Sequence, residues 1–206
     1  MAAKRGHSAS GSLLELVLIV AVALGLALGI QAWLVKPYRI PSGSMEPTLQ
    51  VGQRVLVNRI SHRLGADPHV GDIVVFHPPA DAYAGTCGDR DAGEGTPRAC
   101  DRPGAGTNKQ TFIKRVVAVG GDTIAIRNGH AIRNGKQAHE PFTMPCADGS
   151  GCDFPQAITI PKGYVFLMGD NRGSSDDSRY WGPVPKKWII GQAFATYWPP
   201  KRIGLL

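Results

Sequence analysis

The fold class predicted is mainly β, preceded by a single N-terminal transmembrane helix, and three observations predict it. The chain has 26 Gly and 16 Pro among 206 residues, well above average usage, which marks a backbone broken by many turns. Asn-Gly stands twice between short apolar runs, at Asn128-Gly129 and Asn134-Gly135, a strong hairpin signal. Leu16 to Val35 carries no charge at all. The same composition excludes other classes. A coiled coil needs unbroken heptads, and an apolar content of 43% is too high for a disordered chain.

The elements follow in order. Lys4 and Arg5 lie in a short tail, residues 1–12, placed on the cytoplasmic side. An apolar run fills 13–35, and its uncharged part would span about 30 Å as a helix, the thickness of the hydrocarbon core. Trp33 and Tyr38 suit an interfacial belt. A cleaved signal peptide has an apolar region of only about 7–15 residues, so an uncleaved anchor is expected. Lys4 and Arg5 are balanced by Lys36 and Arg39, so charge alone barely orients it.

Residues 36–206 form the soluble domain. Strand patterns occupy Gln53–Ile60, Asp72–Phe76, Thr111–Val119, Asp122–Arg127, His130–Asn134, Ala157–Ile160, Val165–Met168 and Trp188–Tyr197. Residues 77–110, rich in Gly, Asp, Pro and Thr, read as a long mobile insertion. The formal net charge of +7 is compatible with an anionic surface. The basic residues are scattered without interleaved aromatics, so no nucleic-acid partner is expected.

Four cysteines, Cys87, Cys100, Cys146 and Cys152, include no CxxC pair, and no metal or cofactor is expected. Each local pair brackets a Gly-rich loop. Four cysteines allow three pairings; the local one is expected, on the oxidising side of a membrane.

Chemistry gathers in three segments. Pro41-Ser42-Gly43-Ser44-Met45-Glu46-Pro47 sets two serines about a glycine that permits a sharp turn, between stiffening prolines. Phe112-Ile113-Lys114-Arg115-Val116-Val117-Ala118-Val119 puts a lysine inside an apolar strand. Alternation places Lys114 with Phe112, Val116 and Ala118 on one face. A lysine held there loses charge stabilisation, and its pKa falls; Arg115, facing the other way, stays charged and suits an ion pair. The third segment runs from Gly169 to Gly182 and is dense in Asp, Arg and Ser. No histidine stands in a convincing triad.

Together these segments resemble the bacterial type I signal peptidase family. The resemblance rests on Pro41–Leu49, on Gly71-Asp72-Ile73-Val74-Val75-Phe76, on Lys114-Arg115, on Gly169-Asp170-Asn171-Arg172 and on Ser178-Arg179-Tyr180-Trp181-Gly182, in that order, behind an anchor. It implies an antiparallel two-sheet catalytic core with an inserted β cap at about 128–162. It implies Ser44 as nucleophile, Lys114 as general base, and the Ser42 hydroxyl with the Ser44 N–H as oxyanion hole. Ser175 would orient the Lys114 amine. Asp177 and Arg179 would form a structural pair, with Asp170 and Arg115 as further supports. Ile40, Met45, Leu49 and Ile113 would surround the −1 pocket. Tyr38, Val55 and Val75, with Ile40 and Ile113 shared, would line the −3 pocket, and Phe112 would lie beside the lysine.

The implied function is a membrane-anchored serine endopeptidase that removes signal peptides from exported preproteins, with small residues at −1 and −3. Its partners would be those preproteins, membrane lipid and the translocation machinery. Its place would be the cytoplasmic membrane, catalytic domain outward. A dedicated pilin or conjugation-factor processing peptidase shares the same boxes. A catalytically dead, tethered assembly protein would lack Ser44 or Lys114, and both are present. The insertion at 77–110 does not map onto the family core and is expected to leave the catalytic residues untouched.

Overall fold

The computed structural model describes residues 9–60, 64–84, 86–89, 91–102, 104–144, 146 and 152–206. Most of the expected tail, with Lys4 and Arg5, lies outside the described residues, as does the loop between Cys146 and Cys152. Helix α1 (Ala9–Trp33) is apolar throughout most of its length. Its side chains are described from Leu13 to Gly29, and the large apolar ones stand 48–74% exposed. Among the described residues no helix is long and apolar enough to cross a membrane. The expected transmembrane anchor is therefore not supported by the described structure.

After α1 the chain is an antiparallel β structure. Its first strands are β1 (Val35–Arg39), β2 (Arg54–Asn58), β3 (Ile73–Phe76) and β4 (Phe112–Val119). Then come β5 (Thr123–Arg127), β6 (His130–Arg133), β7 (Lys136–Gln137) and β8 (Phe154–Thr159). The last are β9 (Tyr164–Met168), β10 (Val184–Pro185), β11 (Ile189–Trp198) and β12 (Gly204–Leu205). One sheet has the order β1-β2-β11-β3-β4-β9-β10, with β12 against β11. The second has the order β7-β6-β5-β8 and so takes in β5 as well as the expected cap. Both Asn-Gly turns carry positive φ at each residue, the conformation that a two-residue hairpin loop of this type requires.

Three apolar clusters hold the molecule. Val117, Ala118, Ile124, Ile126, Phe154, Ile158 and Phe166 pack the two sheets together. Phe76, Val116, Leu167 and Trp181 anchor a second cluster. Ile40, Met45, Leu49, Val55, Val57, Ile73 and Val75 form the third. The register of β4 against β9 shifts between Val116 and Ala118. This bulge reverses the facing of every later residue. Ala118 therefore packs between the sheets and does not share the Lys114 face, contrary to simple alternation.

Parts of the insertion are buried. Ala82, Ala99 and Cys100 are fully buried, and the Cys100 N–H donates to the Arg179 carbonyl at 2.9 Å. Cys87 is joined to Cys100 and Cys146 to Cys152, the local pairing. These described parts of the insertion are thus packed against the rest of the domain.

Candidate active site

Ser44 sits in a single 3₁₀ turn, Gly43–Met45. Met45 and Leu49 on this segment are completely buried in the third cluster, and the Leu49 N–H donates to the Met45 carbonyl. The turn is thus pinned from below, and Ser44, 8% exposed, faces the cleft above. Lys114 comes from the middle of β4, opposite Val74 of β3. Phe112 and Val116 flank it, and it is 4% exposed. Its Nζ donates to Ser44 Oγ at 2.6 Å and lies 5.9 Å from the centre of the Phe112 ring. Burial is the largest influence on the amine. Asp177 and Asp176 oppose it, and the balance lowers the Lys114 pKa to about 8.

Ser42 is exposed and donates to Ser44 Oγ over a long 3.4 Å. Ser175 is buried, but its Oγ has no hydrogen-bond partner. The expected hydrogen bond from Ser175 to the Lys114 amine is therefore not made. Ser175 instead fills the space beside Gly169, where a Cβ would collide with its hydroxyl and with the Ser44 carbonyl.

Two carboxylates hold the walls. Asp170, fully buried, receives Arg115 Nε at 2.8 Å and Nη2 at 2.7 Å, and Thr48 Oγ1 at 2.5 Å. Arg115 also donates to the Gly71 carbonyl, and its guanidinium lies 3.8 Å from the Phe142 ring centre. Asp177 binds Arg179 through both oxygens, at 2.7 and 2.9 Å, and accepts the Gly169 N–H at 3.0 Å. It also caps the one-turn helix α2 (Ser178–Trp181). Burial works to raise the Asp177 carboxyl, but Arg179, Lys114 and the Gly169 N–H together hold it below the usual range.

Sequence reasoning missed several contributors. Asn171 clamps the serine turn, its N–H on the Ser44 carbonyl at 3.1 Å and its side chain on Gly43 at 3.3 Å. Its only signal was its place in the Gly-Asp-Asn-Arg run. Arg172, buried, holds Glu140 of the second sheet's flank at 2.7 Å, and nothing in the sequence marked Glu140. A cleft of about 410 Å³ lies over Ser44 and Lys114. Its walls are Pro41, Ser42, Phe112, Ile113, Ser174 and Asp176, joined by Tyr83 and Gln110 of the insertion. Of the expected substrate-contacting residues, Phe112 and Ile113 face this cleft. Ile40, Met45, Leu49, Val55 and Val75 are buried to within 2% in the third cluster, with Tyr38 half-buried against it, and none of the six lines this cleft.

A serine hydroxyl against a buried, partly neutral amine, clamped by buried Asp–Arg pairs on an antiparallel β scaffold, defines a serine hydrolase class. The model of the family described as signal peptidase, peptidase S26, matches residues 13–198. The chain belongs to that family and is a serine endopeptidase of the signal peptidase I kind. A probable signal peptidase I-2 of Synechocystis is 36% identical over 194 residues, covering 94% of this chain and 77% of that protein. A probable signal peptidase I-1 of the same organism is 37% identical over 196 residues, covering 93% and 86%. A crystal structure of a signal peptidase I from Enterococcus faecalis aligns with 61% of this chain and 96% of that one, at 23% identity and a TM-score of 0.41.

Proposed function

We propose that this protein is a membrane-anchored Ser/Lys endopeptidase that removes signal peptides from exported preproteins. The observation that carries the reading is the 2.6 Å contact between Lys114 Nζ and Ser44 Oγ inside a buried site. With a pKa of about 8, about a tenth of the amine is neutral at pH 7. The neutral amine takes the Ser44 proton as Oγ attacks the scissile carbonyl. The Lys114 ammonium then returns a proton to the leaving amine. The Ser44 N–H and the Ser42 hydroxyl stabilise the oxyanion. The long Ser42 contact of 3.4 Å is no obstacle, because such bonds tighten in the reacting complex.

Small residues, chiefly Ala, are preferred at −1 and −3. The support is the family resemblance, which assigns Ile40, Met45, Leu49, Val55 and Val75 to these pockets; they pack closely in one apolar cluster with Ile113, and Ile113 lines the cleft. The anchor is α1. From Leu16 to Gly29 the described side chains of α1 are apolar and stand exposed, a surface that favours burial in lipid or protein. Two disulfides support an oxidising location for the catalytic domain, read as the outer side of the cytoplasmic membrane, near the translocation machinery.

The test is cleavage of a preprotein in detergent. Ser44→Ala is expected to abolish turnover while still binding substrate. Ser42→Ala is expected to lose about 10²–10³ in kcat. Wild-type turnover by Ser42→Ala removes the assigned oxyanion donor, and efficient cleavage after Phe or Leu at −1 removes the specificity.

A further inference from the structure

Tyr83 belongs to the insertion, not to the family boxes, yet it stands in the catalytic cleft. It sits on a single 3₁₀ turn, Ala82–Ala84. Ala82 is buried in the cluster that contains Phe76 and Trp181, so the turn has a fixed base. The Tyr83 ring meets the Phe112 ring edge to face, with centres 5.3 Å apart. Phe112 in turn meets Phe76 at 6.3 Å and lies against the Lys114 amine. The Tyr83 hydroxyl donates to Gln110 Oε1, and the Gln110 carbonyl lies 3.0 Å from His77 Nδ1. The other end of the insertion is tied by the Cys87–Cys100 bridge and by Cys100 to the backbone of Arg179.

With these contacts made, Tyr83 is still 60% exposed. A large aromatic surface that is rigid and uncovered in a peptide-binding cleft is a contact surface, because its ordering cost is met before anything binds. We propose that Tyr83 is a specificity-determining residue. Its ring, continued by Phe112, receives one apolar side chain of the preprotein close to the scissile bond, so the insertion forms part of the substrate site. This inference rests on the peptidase reading above and adds a subsite to it.

The experiment uses the full chain in detergent. Substrate peptides carry a single apolar residue moved stepwise through the positions flanking the cut, with Gly as the reference at each. Wild type, Tyr83→Ala and Tyr83→Phe are compared by kcat and KM, with thermal melting recorded for each variant. Tyr83→Ala is expected to raise KM roughly three- to tenfold when the apolar residue occupies one particular position. With Gly there the change in KM should be much smaller, so that the ratio of KM between the Gly and apolar peptides, and not the absolute rate, carries the assignment. Tyr83→Phe keeps the ring and loses only the Gln110 bond, so it should hold the wild-type KM for the same peptides. An equal loss on every peptide, no loss on any, or a fall in kcat alone overturns the assignment. Failure of the peptidase reading shows separately, as turnover that survives Ser44→Ala.

Discussion

Two buried cations stand close to the same serine turn, and their surroundings set opposite fates. On β4, Lys114 is buried with no carboxylate in contact; its hydrogen bond goes to the Ser44 hydroxyl. In the segment 169–181, Arg179 is buried just as deeply but is gripped by both oxygens of Asp177 and by two backbone carbonyls, those of Arg172 and Ser175. Burial alone lowers both groups. For Arg179 the paired carboxylate outweighs burial and the pKa is raised. For Lys114 burial wins and the pKa falls to about 8. The lesson is that burial lowers a cation's pKa only where the counter-charge is kept at a distance. Asp177 serves both regions: it neutralises Arg179 fully and Lys114 only from afar.

The largest expected effect breaks the β4 side. Lys114→Arg puts a permanently charged group where a proton acceptor is needed, and turnover should fall by about 10⁴ or more. Single-turnover cleavage measures it, and substantial activity would make another residue the base, with His77 first to be examined. Lys114→His should also be poor, since the shorter ring does not reach Ser44 from that strand position.

The next effect breaks the other side. Asp177→Asn leaves the Arg179 guanidinium buried without its carboxylate. Loss of one partner of a buried pair costs about 3–5 kcal/mol, which denaturant unfolding at pH 7 should register. A change below about 1 kcal/mol would mean that Arg179 has found water or another acceptor.

The smallest expected effect sharpens the contrast. The folded-state pKa of Lys114 lies below the unfolded value, so the unfolded chain binds more protons between about pH 8 and 10.5. Stability from this group therefore rises with pH across that window. Lys114→Met removes the amine and should be more stable than wild type at pH 7. The gap should narrow by about 2 kcal/mol on going to pH 9.5. Paired unfolding curves at the two pH values test this, because other titrating groups cancel between the two proteins. A gap that does not change with pH would place the Lys114 amine at its ordinary value. Retained turnover in this variant would again point to a different base.

Much of this contrast was legible in the chain. Apolar alternation around Lys114 and the opposite facing of Arg115 follow from a strand's period of two. The hairpins at Asn128-Gly129 and Asn134-Gly135 follow from turns that need positive φ. Alternation failed at Ala118, because one extra residue at the bulge inverts the facing and no local pattern announces it. Ser175 shows the same limit. Its place in the run 169–182 puts it near the lysine, but whether its hydroxyl reaches the amine depends on how that run packs over Gly169. Strand β1 was hidden because Val35 continues the apolar helix and Lys36 and Pro37 break the alternating pattern.

The sequence by itself determined the hairpin-rich β character and the presence of the serine and lysine residue types that the proposed chemistry needs. These depend on spacing along a few neighbouring residues, where backbone geometry leaves few choices. Only the tertiary structure decided that Asn171 would clamp Ser44, that Glu140 would meet Arg172, and that Tyr83 of the insertion would stand in the cleft. Those contacts join residues from 29 to 127 positions apart in the chain. Such distances are closed by packing of the three apolar clusters, a property of all the side chains together and of no short stretch of them.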